Sequence, residues 1–235
     1  MIALISNQGC SSRVIRSYVI RRARFTKGQR RAFAQGWEKY GLDMRSGLLN
    51  TELEFGRLAP LIVEIGFGMG DSLFEMAQKN PESHFIGIEV YAPGVGRLIN
   101  RAYCAGLTNL RIYFSDAKDV LKNCIGPGSI DRLQLYFPDP WHKKKHHKRR
   151  LVQVEFVELV RSRLRLGGIF HMATDWKPYA EHILDVMNLS EGFENCGNGM
   201  GGYSSKPKYR PSTKFEERGR ELGHGTWDLL FSRQI

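Results

Sequence analysis

The residues whose types and spacing could do chemistry are carboxylates that recur at the ends of short apolar runs, beside a glycine-rich turn. Glu64 stands one residue inside the end of LIVEI (61–65), which runs into GFGMG at 66–70. Glu89 ends HFIGIE (84–89), Asp116 follows LRIYF (110–114), Asp139 sits in PDPW after IDRLQLYF (130–137), and Asp175 follows IFHMAT (169–174). Any one of these acids could be a solvated strand end, but as a set they describe a pocket. The turn with Gly66, Gly68 and Gly70 lacks the G-x-G-x-x-G spacing of a dinucleotide site, because Asp71 takes the last place. A carboxylate there would oppose a pyrophosphate seated on the following helix, so a ligand without phosphates fits better. Glu64 would attract a cation, Glu89 is placed to accept from two ribose hydroxyls, and Asp116 could accept from an adenine amino group. Those three requirements meet in S-adenosylmethionine.

The elements that must position these residues alternate. From residue 61, short apolar runs at 61–65, 84–89, 110–114, 130–137 and 169–174 predict strands, and amphipathic stretches between them predict helices. Helices are expected from Asp71 or Ser72 to the Asn80-Pro81 breaker, over 94–106, and over 151–166, the last stopped by Gly167-Gly168. The alternation predicts an α/β chain with a mostly parallel, doubly wound sheet, whose ligands bind outside the carboxyl ends of the strands. Residues 192–212, rich in Gly, Ser, Pro and Asn, read as a mobile loop before a terminal strand at 226–232. The expected organisation is a basic arm over 1–49 and one domain over 50–235.

Charge points to the partner. The 235 residues carry 35 Lys and Arg against 24 Asp and Glu, a net +11, and the surplus is localised. Residues 1–31 hold eight basic residues and no acid, and KKKHHKRR at 143–150 holds six more, which leaves 21 basic and 24 acidic residues elsewhere. Two basic patches on a near-neutral body suit a polyanion such as nucleic acid. With 42% hydrophobic and 25% charged residues, the composition is that of an ordinary globular chain. No run approaches the about 18 apolar residues of a membrane span, so a soluble protein with no membrane partner is expected. Cys10, Cys104, Cys124 and Cys196 are spaced like neither metal ligands nor a disulfide framework, and fit thiols of a reducing cytosol. His142, His146 and His147 invite a metal reading, but no carboxylate or cysteine completes a set and the adjoining lysines would repel a cation, so no metal is expected.

Several segments resemble one family. VEIGFGMGDSL (63–73), IGIEVY (86–91), YFPDPWHKKKHHKRR (136–150), ATDW (173–176) and STKFEERG (212–219) are similar to the bacterial-type tRNA (guanine-N7-)-methyltransferases, and RSYVIRRARFTKGQ (16–29) extends the similarity into the arm. The resemblance implies a Rossmann-like class I methyltransferase fold with an antiparallel carboxyl-terminal strand. It also implies S-adenosylmethionine as donor, S-adenosylhomocysteine as product, and guanosine forty-six of the tRNA variable loop as acceptor. Carried over by motif, Glu64, Gly66, Gly68, Gly70, Glu89, Asp116 and Asp139 would bind the cofactor, with Asp139 also at the reacting centre. Lys143, Asp175, Thr213, Lys214, Phe215 and Glu216 would hold the substrate, and Lys145, His146, His147, Lys148, Arg149 and Arg150 would contact RNA. A cytoplasmic enzyme, monomeric or homodimeric without a partner subunit, is expected. Tyr91 stands where many relatives carry His.

Guanine N7 offers an in-plane lone pair and no proton to lose, so its methylation needs alignment and charge management rather than a strong base. Asp139, held between prolines, is the candidate for opposing the positive charge that develops on the purine. Trp141 could stack on a displaced base or plug the end of the sheet. Three rivals share some of these features: a methyltransferase of the same fold acting on another RNA or on protein, a non-catalytic RNA-binding protein, and an NAD-dependent dehydrogenase.

Overall fold

The structure, a computed structural model, describes residues 15–19, 27–212, 216–217 and 225–235. Its elements run α1 (Lys27–Tyr40), β1 (Gly41–Leu42), α2 (Thr51–Phe55), β2 (Leu61–Ile65), α3 (Asp71–Lys79), β3 (His84–Glu89) and α4 (Ala92–Cys104). There follow β4 (Leu110–Phe114), α5 (Ala117–Asn123), β5 (Ile130–Tyr136), α6 (Val154–Arg163), β6 (Leu164–Thr174), α7 (Lys177–Asn188), β7 (Phe193–Asn195) and β8 (Trp227–Arg233). One sheet collects all eight described strands in the order β1-β4-β3-β2-β5-β6-β8-β7. The pairs from β1 to β6 are parallel, and β8 runs antiparallel to both β6 and β7. The expected mostly parallel sheet with an antiparallel carboxyl-terminal strand is therefore present.

Strand order reverses on either side of β2, whose neighbours are β3 and β5. That reversal sends the crossover helices to opposite faces and opens a crevice at the strand ends between them. β2 is buried on both faces, which is why it reads as an unbroken apolar run. Its side chains alternate: Leu61, Val63 and Ile65 pack with α5, α6 and α7, whereas Ile62 packs with α3 and α4. Glu64 shares the face of Ile62, so a carboxylate enters the second core at the open end of the strand.

Several expectations shift. The helix expected to run to Leu166 ends at Arg163, and Gly167-Gly168 lie inside β6. Gly167 has φ 72°, and the pairing of β5 with β6 is irregular between Ile130 and Arg132, so the glycines serve a strand irregularity rather than a helix stop. Residues 192–212 are not a featureless loop. They contain β7, a turn in which the Asn195 side chain bonds Gly202 and Gly197, and a fully buried Arg210. Residues 27–42, grouped with the arm in the sequence, pack against the sheet and its helices. α1 packs along α4, the Tyr40 hydroxyl lies 2.9 Å from the carbonyls of both Ala102 and Leu107, and β1 adds an edge strand to β4.

Candidate active site

The glycine turn after β2 is built from backbone that ordinary residues avoid. Gly66, Gly68 and Gly70 have φ of 73°, 56° and 75°, all in the left-handed region open to glycine. Across from it, α4 approaches so closely that a side-chain carbon at Gly94 would fall 1.7 Å from the Gly68 carbonyl oxygen. Asp71, expected to repel a pyrophosphate, is ion-paired instead with Arg97 at 2.8 Å and Arg101 at 2.5 Å.

Beside this turn lies a cleft of about 400 Å³. Gly66 and Gly68, Glu89, Asp116 and Asp139 all line it, so the structure brings together cofactor candidates from the ends of four strands. Gly70 sits behind it as the cap of α3. Glu64 lies one residue before the lining residues Ile65 and Gly66, is 3% exposed, and has an Oε2 with no hydrogen-bond partner. Burial, reinforced by the nearby Glu89 carboxylate, pushes its pKa up to about 8. A buried acceptor without a donor is costly in the free protein and suits a cationic ligand that supplies one.

Glu89 is fixed by its own neighbours. The Gly68 N–H donates to Oε2 at 2.7 Å, and the Val90 and Tyr91 N–H groups donate to Oε1 at 2.6 and 2.9 Å. Burial still raises its pKa above the usual range, against those three bonds. Oε1 already accepts twice, whereas Oε2 keeps a lone pair for a ribose hydroxyl. Asp116 caps α5 by accepting from the Lys118 N–H at 2.8 Å, and it also holds the Tyr18 hydroxyl. Burial first, then the Asp116 charge, pushes the Tyr18 pKa up to about 12.

Tyr18 is the site residue that the sequence did not single out. With Ser17 and Val19 it forms a wall of the cleft. This short piece of the arm is tied down by the segment after β5. The Trp141 indole N–H donates to the Ser17 carbonyl at 3.0 Å, and Arg149 donates to the carbonyls of Arg16 and Tyr18 at 3.1 and 3.2 Å. Arg149 also stacks its guanidinium 3.8 Å from the Trp141 ring centroid. Trp141 is thus neither a bare platform nor a core plug but the seat of the arm. No spacing rule could reveal this, because Tyr18 and Arg149 are 131 residues apart.

The residues that would receive a substrate rim the same sheet edge. Asp139 is exposed, between Phe137 and Trp141, whose φ values of 51° and 49° are left-handed without being glycine. Such backbone costs energy and is held only where the surroundings demand it. Asp175 is half-buried after β6, the neighbour of β5, and His142 meets Trp176 edge to face at 4.4 Å, joining the two segments. Lys143 is exposed at the start of a 3-10 helix, Lys144–Arg149, that carries the basic run. Lys145 and Lys148 are exposed, while His146 and His147 are half-buried. Desolvation, then Lys145 and Arg149, lower the His146 pKa and favour its neutral form.

Arg150 departs from the expected RNA contact. It is 4% exposed, donates to the Pro140 carbonyl at 3.0 Å and lies over Tyr179, so its guanidinium braces the PDPW turn from inside. Glu216 is engaged by Lys206 and Arg210. Thr213, Lys214 and Phe215 lie outside the described residues. Among the described residues no group of three His, Cys, Asp or Glu is arranged to hold a metal ion. No described helix is long and apolar enough to cross a membrane.

An acid-lined cleft at the reversal point of a mostly parallel sheet, closed by an antiparallel carboxyl-terminal strand, defines a class I methyltransferase. The fold is similar to that of the 16S rRNA methyltransferase KamB, with a TM-score of 0.55 at 12% identity over 92% of this chain and 97% of that one. It is also similar to a 16S rRNA (adenine(1408)-N(1))-methyltransferase from Catenulisporales acidiphilia solved with S-adenosylmethionine, at TM-score 0.55 and 14% identity over 83% and 92% of the two chains. Residues 58–229 match a family described as putative methyltransferase. The tRNA (guanine-N(7)-)-methyltransferase of Saccharophagus degradans is 59% identical over 94% of this chain and 96% of its own. That of Pseudoalteromonas atlantica is 53% identical over 97% and 95%. The chain belongs to the tRNA (guanine-N(7)-)-methyltransferase family.

Proposed function

We propose that the enzyme transfers a methyl group from S-adenosylmethionine to N7 of guanosine forty-six in the tRNA variable loop, releasing S-adenosylhomocysteine, and that it does so in the cytoplasm. The observation that carries this reading is the buried, partnerless Glu64 carboxylate behind a cleft lined by Glu89, Asp116 and Asp139. Every charged side chain lining the cleft is an acid, Glu89, Asp116 or Asp139, so a phosphate-bearing dinucleotide would find no cation there. Bound S-adenosylmethionine supplies an electrophilic methyl on sulfur. Glu64 would accept from the ammonium, the pre-oriented Glu89 from the ribose, and Asp116 from the adenine amino group.

Asp139 belongs to both the cofactor wall and the rim. Its carboxylate would oppose the positive charge that the purine gains as N7 takes the methyl, and its flanking prolines and left-handed neighbours restrict its backbone. Its role is electrostatic and orienting, with no proton to remove. Asp175 would accept from the guanine N1 and exocyclic amino edge, with Lys143 and the 213–216 segment around the base. Lys145, Lys148 and Arg149 would meet phosphates, which position RNA without reading its sequence. The test is incubation with S-adenosylmethionine and unmodified tRNA followed by digestion to nucleosides. N7-methylguanosine is expected, and methyl on adenine or on another guanine atom would overturn the assignment.

A further inference from the structure

One polar network reaches Tyr136 and Phe137 in the cleft wall, and of its members only Glu216 has a role above. Arg210 is 2% exposed. Its Nη1 and Nη2 donate to the two oxygens of Glu216 at 2.8 and 3.1 Å, and Nη2 donates to Asp228 Oδ2 on β8 at 2.8 Å. Asp228 Oδ1 lies 2.8 Å from His171 Nε2 on β6, and His171 Nδ1 lies 2.9 Å from the Tyr136 hydroxyl and 3.0 Å from that of Tyr209. Because Asp228 only accepts, His171 donates from Nε2 and accepts at Nδ1, whose single lone pair takes one of the two tyrosine hydroxyls at a time. Burial raises the Glu216 and Asp228 carboxyls, but Arg210 with Lys206 for the first and His171 with Arg210 for the second more than offset it, so both stay ionised. The guanidinium also lies 5.8 Å from the ring centroids of Tyr136 and of Phe137. These are the last residue of β5 and the left-handed residue two before Asp139.

Stability alone explains such a network poorly. Buried ion clusters can often be replaced by packed apolar groups without loss, whereas a guanidinium fork fixes the angle and distance between the groups it bridges. Here the fork bridges Glu216, expected at the guanine, and Asp228 on β8, and the same guanidinium lies against the Tyr136 and Phe137 rings at the end of the strand that presents Asp139.

We propose that Arg210 is a positioning residue for methyl transfer: it sets Glu216 in register with the Tyr136-Phe137 turn, and so with Asp139. This rests on the function proposed above.

The test uses the full chain with Arg210→Lys, which keeps the charge but loses the fork, and Asp228→Asn, which cuts the link on the side away from the base. Cofactor affinity by calorimetry should match that of the unaltered enzyme. Single-turnover methylation at saturating tRNA should fall at least about tenfold, because misalignment acts on the chemical step. Adding Glu216→Gln to Arg210→Lys should be no slower than the slower single variant, since both act through one link. A rate unchanged in Arg210→Lys would overturn the proposal, as would rate and cofactor affinity falling in parallel. If neither variant folds, Glu216→Gln cuts the link at its half-buried end, and amide exchange over 205–212 becomes the readout. Faster exchange than in the unaltered chain is expected, and unchanged exchange would overturn the proposal. An unaltered enzyme that forms no N7-methylguanosine would instead overturn the functional assignment itself.

Discussion

Cofactor binding should depend on pH through Glu64. In the free protein this carboxyl is buried, partnerless and near Glu89, with a pKa of about 8, so at neutral pH it is mostly protonated. A bound ammonium stabilises only the ionised form, and binding must therefore expel the proton. The sign follows: affinity rises with pH up to the pKa and falls again above it, as the ligand's own α-amino group loses its proton near about pH 8. Between about pH 6 and about pH 7.5 the ionised fraction of a group with a pKa of about 8 rises about 25-fold, worth about 2 kcal/mol, and affinity should rise by that factor. The same raised pKa means that the protonated carboxyl stabilises the free fold fully below its ordinary range of about 4.5 and that this contribution is lost as pH rises through about 8. Added cofactor should accordingly raise the melting temperature more at the alkaline end. Titration calorimetry in buffers of different ionisation enthalpy reads both quantities, and release of about one proton per cofactor is expected near about pH 6.5. Glu64→Gln should bind more weakly at high pH and lose the dependence. Affinity that is flat across this range with no proton released would refute the placement of Glu64 against a cation.

Other expectations follow from single contacts. Asp139→Asn should slow single-turnover methylation by about 100-fold or more, because the charge that opposes the cationic purine is gone; an unchanged rate contradicts it. Tyr18→Phe removes a hydroxyl held by Asp116 in the cleft wall and should weaken cofactor binding about two- to tenfold by calorimetry; an unaltered affinity would assign Tyr18 to packing. Replacing the exposed Lys144, Lys145 and Lys148 by Gln should flatten the log affinity versus log salt plot for tRNA by about 0.7 to 0.9 per lost phosphate contact. Arg150→Gln should leave that slope unchanged and lower thermal stability instead, by about 1 to 3 kcal/mol.

Much of the parallel sheet was legible in the sequence because both of its faces are buried. β2 and β3 are buried throughout, and β2, β3 and β4 begin and end where the short apolar-rich runs do. The strand-end acids were legible for the same reason, since the runs stop where the crevice opens. Short or polar elements were not. β1 has two residues, and α5 is seven residues long and capped by Asp116, whose carboxylate read only as a ligand and not as a cap. Gly167-Gly168 carried a true signal, a backbone irregularity, that spacing assigned to the wrong element. Arg150 and Arg210 were misplaced or unnoticed because composition treats an arginine as surface charge. Their burial depends on partners such as Asp228, which sits 18 residues from Arg210 and 57 from His171 in the chain. Contacts at that separation leave no periodic trace.

The central claim is that an acidic cleft presents a methyl donor to N7 of one guanine in folded tRNA. Methylation at N7 labilises the glycosidic bond, so reduction and amine treatment cut the chain at the modified nucleotide. Unmodified tRNA treated with the enzyme and S-adenosylmethionine, then cleaved and mapped, should break at guanosine forty-six and nowhere else. Intact tRNA, or breaks at a different guanosine, would contradict the account.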